Sequence, residues 1–496
     1  MKFKNSYIIL GIACLMTGFL GACSNNSTEE LETLIDRVEI SRATAVEADI
    51  KDLSAGGLDA ALETALGADK KYSVTKLKLS GNFNAQDVMT LRRLTSLEDL
   101  DMANVTIVAD SENGEANRYE FQTYFWEQTQ NVGEYLSNNE IGSYMFAGFT
   151  SLKKVILPNS VTRINFAAMH TCTSLESVTL PAKLEYITGS YVFCDTQLEM
   201  ITIPSSLKEV SDYFIAGTNS KLKAIFWESN AKVPTCNDGV ENVLLYVSNS
   251  DVIVSGSWKN VIINGVAESI EIRAKEPWQE DKYSFVAPKA FTVKKMTYTR
   301  YFDKWTSIGG SGGWETIVLP FVPASITHES KGMIAPFNSG VAEAKPFWLR
   351  SLTATGFVDV TSMEANVPYI ISMPNNDAYF EEYRLNGWVT FTGENVTIPE
   401  SVSQPTAVQG PEFSLQPTYE PVKQSNSIYS LNTRDGGGYN QGSTFMRGGG
   451  DVRAFEAYAV VGGRSIRSLI GVDCSSSNTT RSTQKNTTGI PQIGDM

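Results

Sequence analysis

The chain has 496 residues, 55 acidic side chains against 41 basic ones, a net charge of −14 and 42% hydrophobic residues. That sign of charge argues against nucleic acid or an anionic lipid surface as partner. The length implies two or three domains that each bury a core, and six cysteines are too few for a disulfide framework.

Lys2 and Lys4 give a short basic start, residues 7–20 are almost wholly apolar, and Gly21-Ala22 sets small residues before Cys23. The apolar run is too short to span a membrane and stay there, so residues 1–22 read as a processing signal. Leu20-Gly21-Ala22-Cys23 resembles a bacterial lipobox. The resemblance implies cleavage ahead of Cys23 and acylation (palmitate among the chains) of that cysteine, and two or three acyl chains anchor a protein firmly where one does not. Residues 23–50, with the acidic run "NSTEELE" at 26–32, read as a tether between lipid and fold.

A repeat region is expected over 51–282. "AGGLDAALETAL" (55–66) has helical apolar spacing and fits an N-terminal cap. Val74/Leu77/Leu79 and Leu97/Leu100/Met102 then start an L-x-x-φ-x-φ pattern, φ being apolar, 23 residues apart. A longer stretch, 103–138, interrupts it and carries Tyr119, Phe121, Tyr124, Phe125 and Trp126. Two readings stay open for these aromatics: an insertion packed on the edge of the array, or a binding surface, since insertions in repeat arrays collect on one face.

The pattern resumes as "SLKKVILPNSVTRI" (151–164), "SLESVTLPAKLEYI" (174–187), "QLEMITIPSSLKEV" (197–210) and "KLKAIFW" (221–227), with leading leucines 23, 23 and 24 residues apart. Each unit holds a short half-buried strand and cannot bury its apolar face alone, so copies must stack. Ile141, Ile164, Ile187 and Val210 mark a second apolar column. Past Trp227 the spacing shortens, and "ENVLLYV", "WKNVIIN" and "ESIEIRA" read as terminal rungs or a cap.

The cycle "LPNSVTRINFAAMHTCTSLESVTLP" (157–181), with a proline closing each strand at Pro158, Pro181 and Pro204, resembles the leucine-rich repeats of BspA-like surface proteins of Bacteroidetes and treponemes. The resemblance covers roughly 74–230. It implies an α/β leucine-rich-repeat solenoid of period about 23, an outer-membrane lipoprotein exposed at the cell surface, and adhesion without catalysis. Cys172 and Cys194 fall in adjacent rungs, and two readings stay open for them: a disulfide, or small buried side chains filling the core.

From 283 to 472 the period vanishes, and "FTVKKMTYTRYF", "WETIVLPF", "PYIISM" and "FEAYAVV" read as strands, with a hairpin at "GWVTFTGENVTI" (387–398) and a glycine-rich loop at 434–450. An all-β sandwich-like domain is expected, similar to a C-terminal β domain of many Bacteroides surface proteins. Residues 473–496 are too polar to order themselves.

"GGSGG" (309–313) satisfies G-x-S-x-G, but Ser311 precedes a strand, only Glu315 lies between it and His328, and no strand-to-helix elbow follows. With only His170 and His328 in the chain, zinc chemistry has few options, and His170 reads as a rung-edge or core residue. No catalytic residue, metal or cofactor is assigned. The expected function is adhesion to a host matrix protein or neighbouring-cell protein through the repeats, Tyr119, Phe121, Tyr124, Phe125 and Trp126 being the binding residues. The alternative is a glycan-binding or structural envelope lipoprotein acting through its C-terminal β domain. The membrane is engaged only through the lipid.

Overall fold

The computed structural model describes residues 45–471, apart from 110–117, 126–127, 216–220, 237–239, 275–283, 307–311, 378, 401–404, 426, 433–440, 448–449 and 462–469. The signal at 1–22, Cys23, most of the tether, Trp126, Ser311, Cys474 and the polar tail therefore lie outside the described residues. Glu47 onward forms one compact unit.

The repeats build two parallel sheets. On the first lie β1 (Glu47–Leu53), β2 (Lys76–Phe83) and β3 (Asp99–Ile107). A hairpin of β4 (Arg118–Phe125) and β5 (Gln128–Tyr135) follows, then β6 (Glu140–Ile141), β7 (Lys154–Ile156), β8 (Arg163–Ile164), β9 (Ser177–Thr179) and β10 (Tyr186–Ile187). Strands β1-β2-β3-β7-β9 form the first sheet. The second stacks β6-β8-β10 with β12 (Glu209–Val210), so the second apolar column of the sequence is a sheet of its own. The first rung begins at Glu47, inside the stretch expected as tether.

Helices are scarce where the α/β expectation placed them. Two α-helices are described, α1 (Leu58–Leu66) and α2 (Ala85–Leu91), both in the first rungs. The later rungs replace the helix by tight turns with left-handed residues at Tyr144, Ala167, Tyr191 and Tyr213 and again at Gly148, Thr171 and Asp195. Segments such as "NFAAMHTCT" turn at left-handed Ala167 and Thr171, and rung-to-rung bonds such as Met169 N–H to the Val192 carbonyl (3.0 Å) satisfy their backbone instead. At the N-terminal end, buried Asp87 closes the capping box of α2 with Asn84 and also accepts from Gly56 N–H (2.7 Å) and Leu58 N–H (2.9 Å), locking α1 to α2.

The array does not end before the second half. Parallel strands β11 (Met200–Ile203), β13 (Ala224–Trp227), β14 (Leu244–Val247) and β15 (Asn260–Ile263) continue it. At Asn264-Gly265, both with positive φ, a tight turn reverses the chain into β16 (Val266–Arg273), which pairs antiparallel with β15. Strand β16 is thus a returning strand and not a further rung. It pairs in parallel with β17 (Phe291–Phe302), which pairs with Gly387–Ile398. One 13-stranded sheet therefore runs from the last rungs across residue 283 into the C-terminal part.

The same continuity holds for the core, where Leu244, Ile262 and Ile270 share a cluster with Met296, Phe391 and Phe455. A six-stranded sheet, including Ser414–Thr418 and Glu456–Val460, packs Leu415, Phe445 and Ala457 against Trp348, Leu352 and Ile370 of the large sheet. The C-terminal part is largely β-sheet and shares a sheet and a core with the last rungs, so it does not stand apart as a separate domain. "GWVTFTGENVTI" is one continuous twelve-residue strand, not a hairpin, and Gly393 sits where the Phe321 ring crosses it. Within the expected glycine-rich loop, Thr444–Arg447 is a strand paired with Tyr429–Leu431.

Candidate binding surface

The outward face of the first sheet is built by strand alternation. Ile50, Leu77, Leu79, Leu100, Met102, Val155 and Val178 point into the core, which turns their neighbours outward. Across the strands these neighbours form two rows in register. Glu47, Lys76, Asp99, Lys154 and Ser177 make one; Asp49, Lys78, Asp101, Ile156 and Thr179 make the other.

Charge alternates from strand to strand. Lys76 pairs with Glu47 at 2.8 Å and Lys78 with Asp101 at 3.1 Å. Glu47 holds the Lys76 ammonium above its usual range through their hydrogen bond. Burial works to raise the Asp101 carboxyl, but the Ala103 N–H and Lys78 outweigh it and leave it below the usual range. Such exposed pairs add little to stability because solvent screens them. Their larger effect is to present a shallow, mixed-charge depression of about 460 Å³, open to solvent. An open surface of mixed charge suits contact with a polar macromolecule by complementary charge.

The 103–138 insertion leaves and rejoins its rung at one point, where Asn139 N–H donates to the Ile107 carbonyl (3.0 Å) and Ala109 N–H to Asn138 Oδ1 (2.7 Å). It is a hairpin with Phe121 opposite Val132, Tyr124 opposite Thr129 and Phe125 opposite Gln128. Its root is fixed by Tyr119. This residue, expected among the exposed binding aromatics, is fully buried and donates its hydroxyl to the Ser143 carbonyl at 2.6 Å. Burial pushes its phenol well above the ordinary range. The hairpin packs against α2, where Glu120 N–H meets Met89 Sδ at 3.2 Å, so it lies on the helix-and-turn side of the rungs. Phe121, Tyr124 and Phe125 are placed on β4, and Trp126 follows it in sequence.

Cys172, Cys194 and Cys236 are buried free thiols. No disulfide joins Cys172 to Cys194 because the local rung step is 24 residues. Thr171 N–H bonds the Cys194 carbonyl, which puts Cys172 in register with Thr196; the Cys172 thiol instead donates to the Phe146 carbonyl at 3.0 Å. The residue that does stack on Cys194 is His170. Ligand atoms of His170, Cys194 and Asp195 all lie within 4.8 Å of one another. This cluster escaped the sequence reading because spacings of 24 and 25 match no ligand motif; only counting positions within each rung would have aligned them. His328 serves structure: its Nε2 lies 3.0 Å from the Asn386 carbonyl and its Nδ1 accepts from Ser330 N–H at 3.2 Å. Glu315, beside the glycine-rich segment, is buried against Arg300. Among the described residues no helix is long and apolar enough to cross a membrane.

Residues 122–236 match the family described as the BspA type leucine-rich repeat region, in six copies. The match begins inside the hairpin, whereas the parallel stack extends three strands further upstream. A crystal structure of a leucine-rich repeat protein from Bacteroides ovatus ATCC 8483 is similar at 15% identity over 42% of this chain and 71% of its own, with a TM-score of 0.19. No curated protein matches. The matched repeat belongs to a non-catalytic protein-interaction family, which is consistent with a non-enzymatic protein. A general binding role, consistent with the cell surface, follows from it.

Proposed function

We propose that this chain is a surface-anchored adhesion protein, held by a lipid on Cys23, whose repeat region binds a host matrix protein or a protein of a neighbouring cell. The observation that carries this reading is the outward face of the first sheet, with its two rows of alternating charge. A flat, solvated, mixed-charge surface fits a folded protein partner better than a small ligand. The hairpin supports it, because a two-stranded hairpin is marginal alone and Tyr119 fixes this one at its root. Phe121, Tyr124, Phe125 and Trp126 are its proposed aromatic anchors, since large rigid aromatics dominate interface energetics.

The test is a binding measurement on the full chain carrying Cys23→Ala, against a panel of host matrix proteins and glycans. The reading expects a protein ligand whose affinity falls about tenfold or more in Lys76→Glu/Lys78→Glu/Lys154→Glu or in Tyr124→Ala/Trp126→Ala, with circular dichroism unchanged. A ligand that binds both variants as well as the parent overturns the assignment to the repeats. A glycan bound equally by all three moves the function to the C-terminal part. The anchor is tested separately by palmitate labelling in the producing cell, which Cys23→Ala should abolish.

A further inference from the structure

We propose that His170, Cys194 and Asp195 form a binding site for a zinc-class divalent metal ion, bridging two adjacent rungs of the repeat. The juxtaposition is a product of the stack. Gly148, Thr171 and Asp195 occupy one column of left-handed residues, so Ala147, His170 and Cys194 occupy the column before it. The bonds Gly148 N–H to the His170 carbonyl (2.9 Å) and Thr171 N–H to the Cys194 carbonyl (2.9 Å) keep this register. Successive rungs are about 4.8 Å apart, so the His170 and Cys194 side chains stack.

The donor set is one imidazole nitrogen, one sulfur and one carboxylate oxygen, with all pairs inside 4.8 Å. Ion–ligand bonds of about 2.0–2.3 Å require donor atoms roughly 3.3–3.8 Å apart in a tetrahedron, a contraction that small side-chain rotations supply. Nitrogen with sulfur selects zinc and its late first-row neighbours over calcium or magnesium, which demand oxygen. His170 and Cys194 are buried, each 7% exposed, while Asp195 is half-buried and leaves a route for the ion.

Burial favours the neutral His170 imidazole, the form that binds a metal. Without an ion, burial pushes the Cys194 thiol up to about 12, and the Asp195 charge and its hydrogen bond add to that. Binding therefore replaces a proton: the divalent ion displaces the thiol hydrogen of Cys194, the sulfur keeps the electron pair as thiolate, and one proton goes to solvent. Three protein ligands leave a fourth position for water or for a group from a partner.

The test is a titration of the chelator-treated full chain with cobalt(II), followed by competition with zinc. One equivalent should give a thiolate-to-cobalt charge-transfer band and the intense visible bands of a tetrahedral ion, all removed by zinc, with about one proton released per ion at neutral pH. Cys194→Ser should lose the charge-transfer band, and Cys236→Ser should keep it. If Cys194→Ser fails to fold, Asp195→Asn, at a half-exposed position, decides the matter by weakening zinc binding about tenfold or more. No cobalt uptake, a band that survives in Cys194→Ser, or undiminished zinc affinity in Asp195→Asn each overturns the site.

Discussion

Ile270 and Met296 are register partners in the parallel ladder between β16 and β17, and both are fully buried. They lie on opposite sides of residue 283, where the composition changes. A chain cut there exposes the unpaired edges of two long strands together with the apolar residues packed between them. Separately expressed 45–282 and 283–471 should therefore aggregate or show broad, non-cooperative unfolding, and co-expression should recover a soluble complex. Size-exclusion chromatography with thermal melts checks this. Two cooperative, monomeric fragments would show that the ladder between β16 and β17 is dispensable.

Tyr119 and Gly142 form the second testable pair. A methyl group at Gly142 would run into the Tyr119 hydroxyl. Gly142→Ala should cost about 1–3 kcal/mol by overpacking. Tyr119→Phe should cost about 1 kcal/mol through the lost bond to the Ser143 carbonyl. In the double variant, removing the hydroxyl relieves the clash, so the combined cost should be smaller than the sum. Urea unfolding of the four proteins measures that coupling.

Arg300 is buried between buried Glu315 and part-buried Glu456. It donates to the Thr316 carbonyl (2.9 Å) and to Glu456 (2.9 Å), and it pairs with Glu315. Removing the cation alone strands both acids, so Arg300→Met should destabilise by about 3–5 kcal/mol in urea unfolding. Replacing all three with apolar residues of similar size should restore most of that loss, because the desolvation cost disappears with the charges.

Burial pushes the Cys236 thiol from its ordinary 9.0 up to about 12. The folded state thus holds a proton that the unfolded state releases above pH 9. This thiol's contribution to stability is complete below pH 9 and is lost as pH rises toward 12. At pH 8 it should resist iodoacetamide in the native protein and react in denaturant, as read by mass spectrometry. Rapid native labelling would contradict its burial.

Much of the repeat region was legible in sequence. Strand periodicity follows from side-chain alternation, so Leu100, Val155 and Val178 announced their strands, whereas Ile141, Ile164 and Ile187 announced an apolar column and only the structure shows it to be a second sheet. The helix at 58–66 showed in its apolar spacing, and the twelve-residue strand Phe291–Phe302 in its composition. The helical half of each repeat was misjudged, because period alone does not say whether a short segment closes as a helix or as turns with left-handed residues such as Ala167 and Thr171. Among the candidate site residues, Tyr119 resembled the other aromatics of its segment in sequence, and only the fold shows it buried, with its hydroxyl against Gly142 and Ser143.

The sequence by itself determined what local chemistry dictates: a stacked array with apolar faces, a proline closing each strand, and too little histidine for a motif-based metal or hydrolase site. The tertiary structure decided what depends on counting across rungs. Cys172 facing Thr196 rather than Cys194 and His170 stacked on Cys194 come from a local step of 24 residues, and the alternating charge on the first sheet from pairings 29, 23 and 55 residues apart, all fixed by backbone hydrogen bonds between strands. The continuous sheet across residue 283 has the same origin, since β16 is paired to β17 by strand edges that carry no mark of their partner in the linear chain.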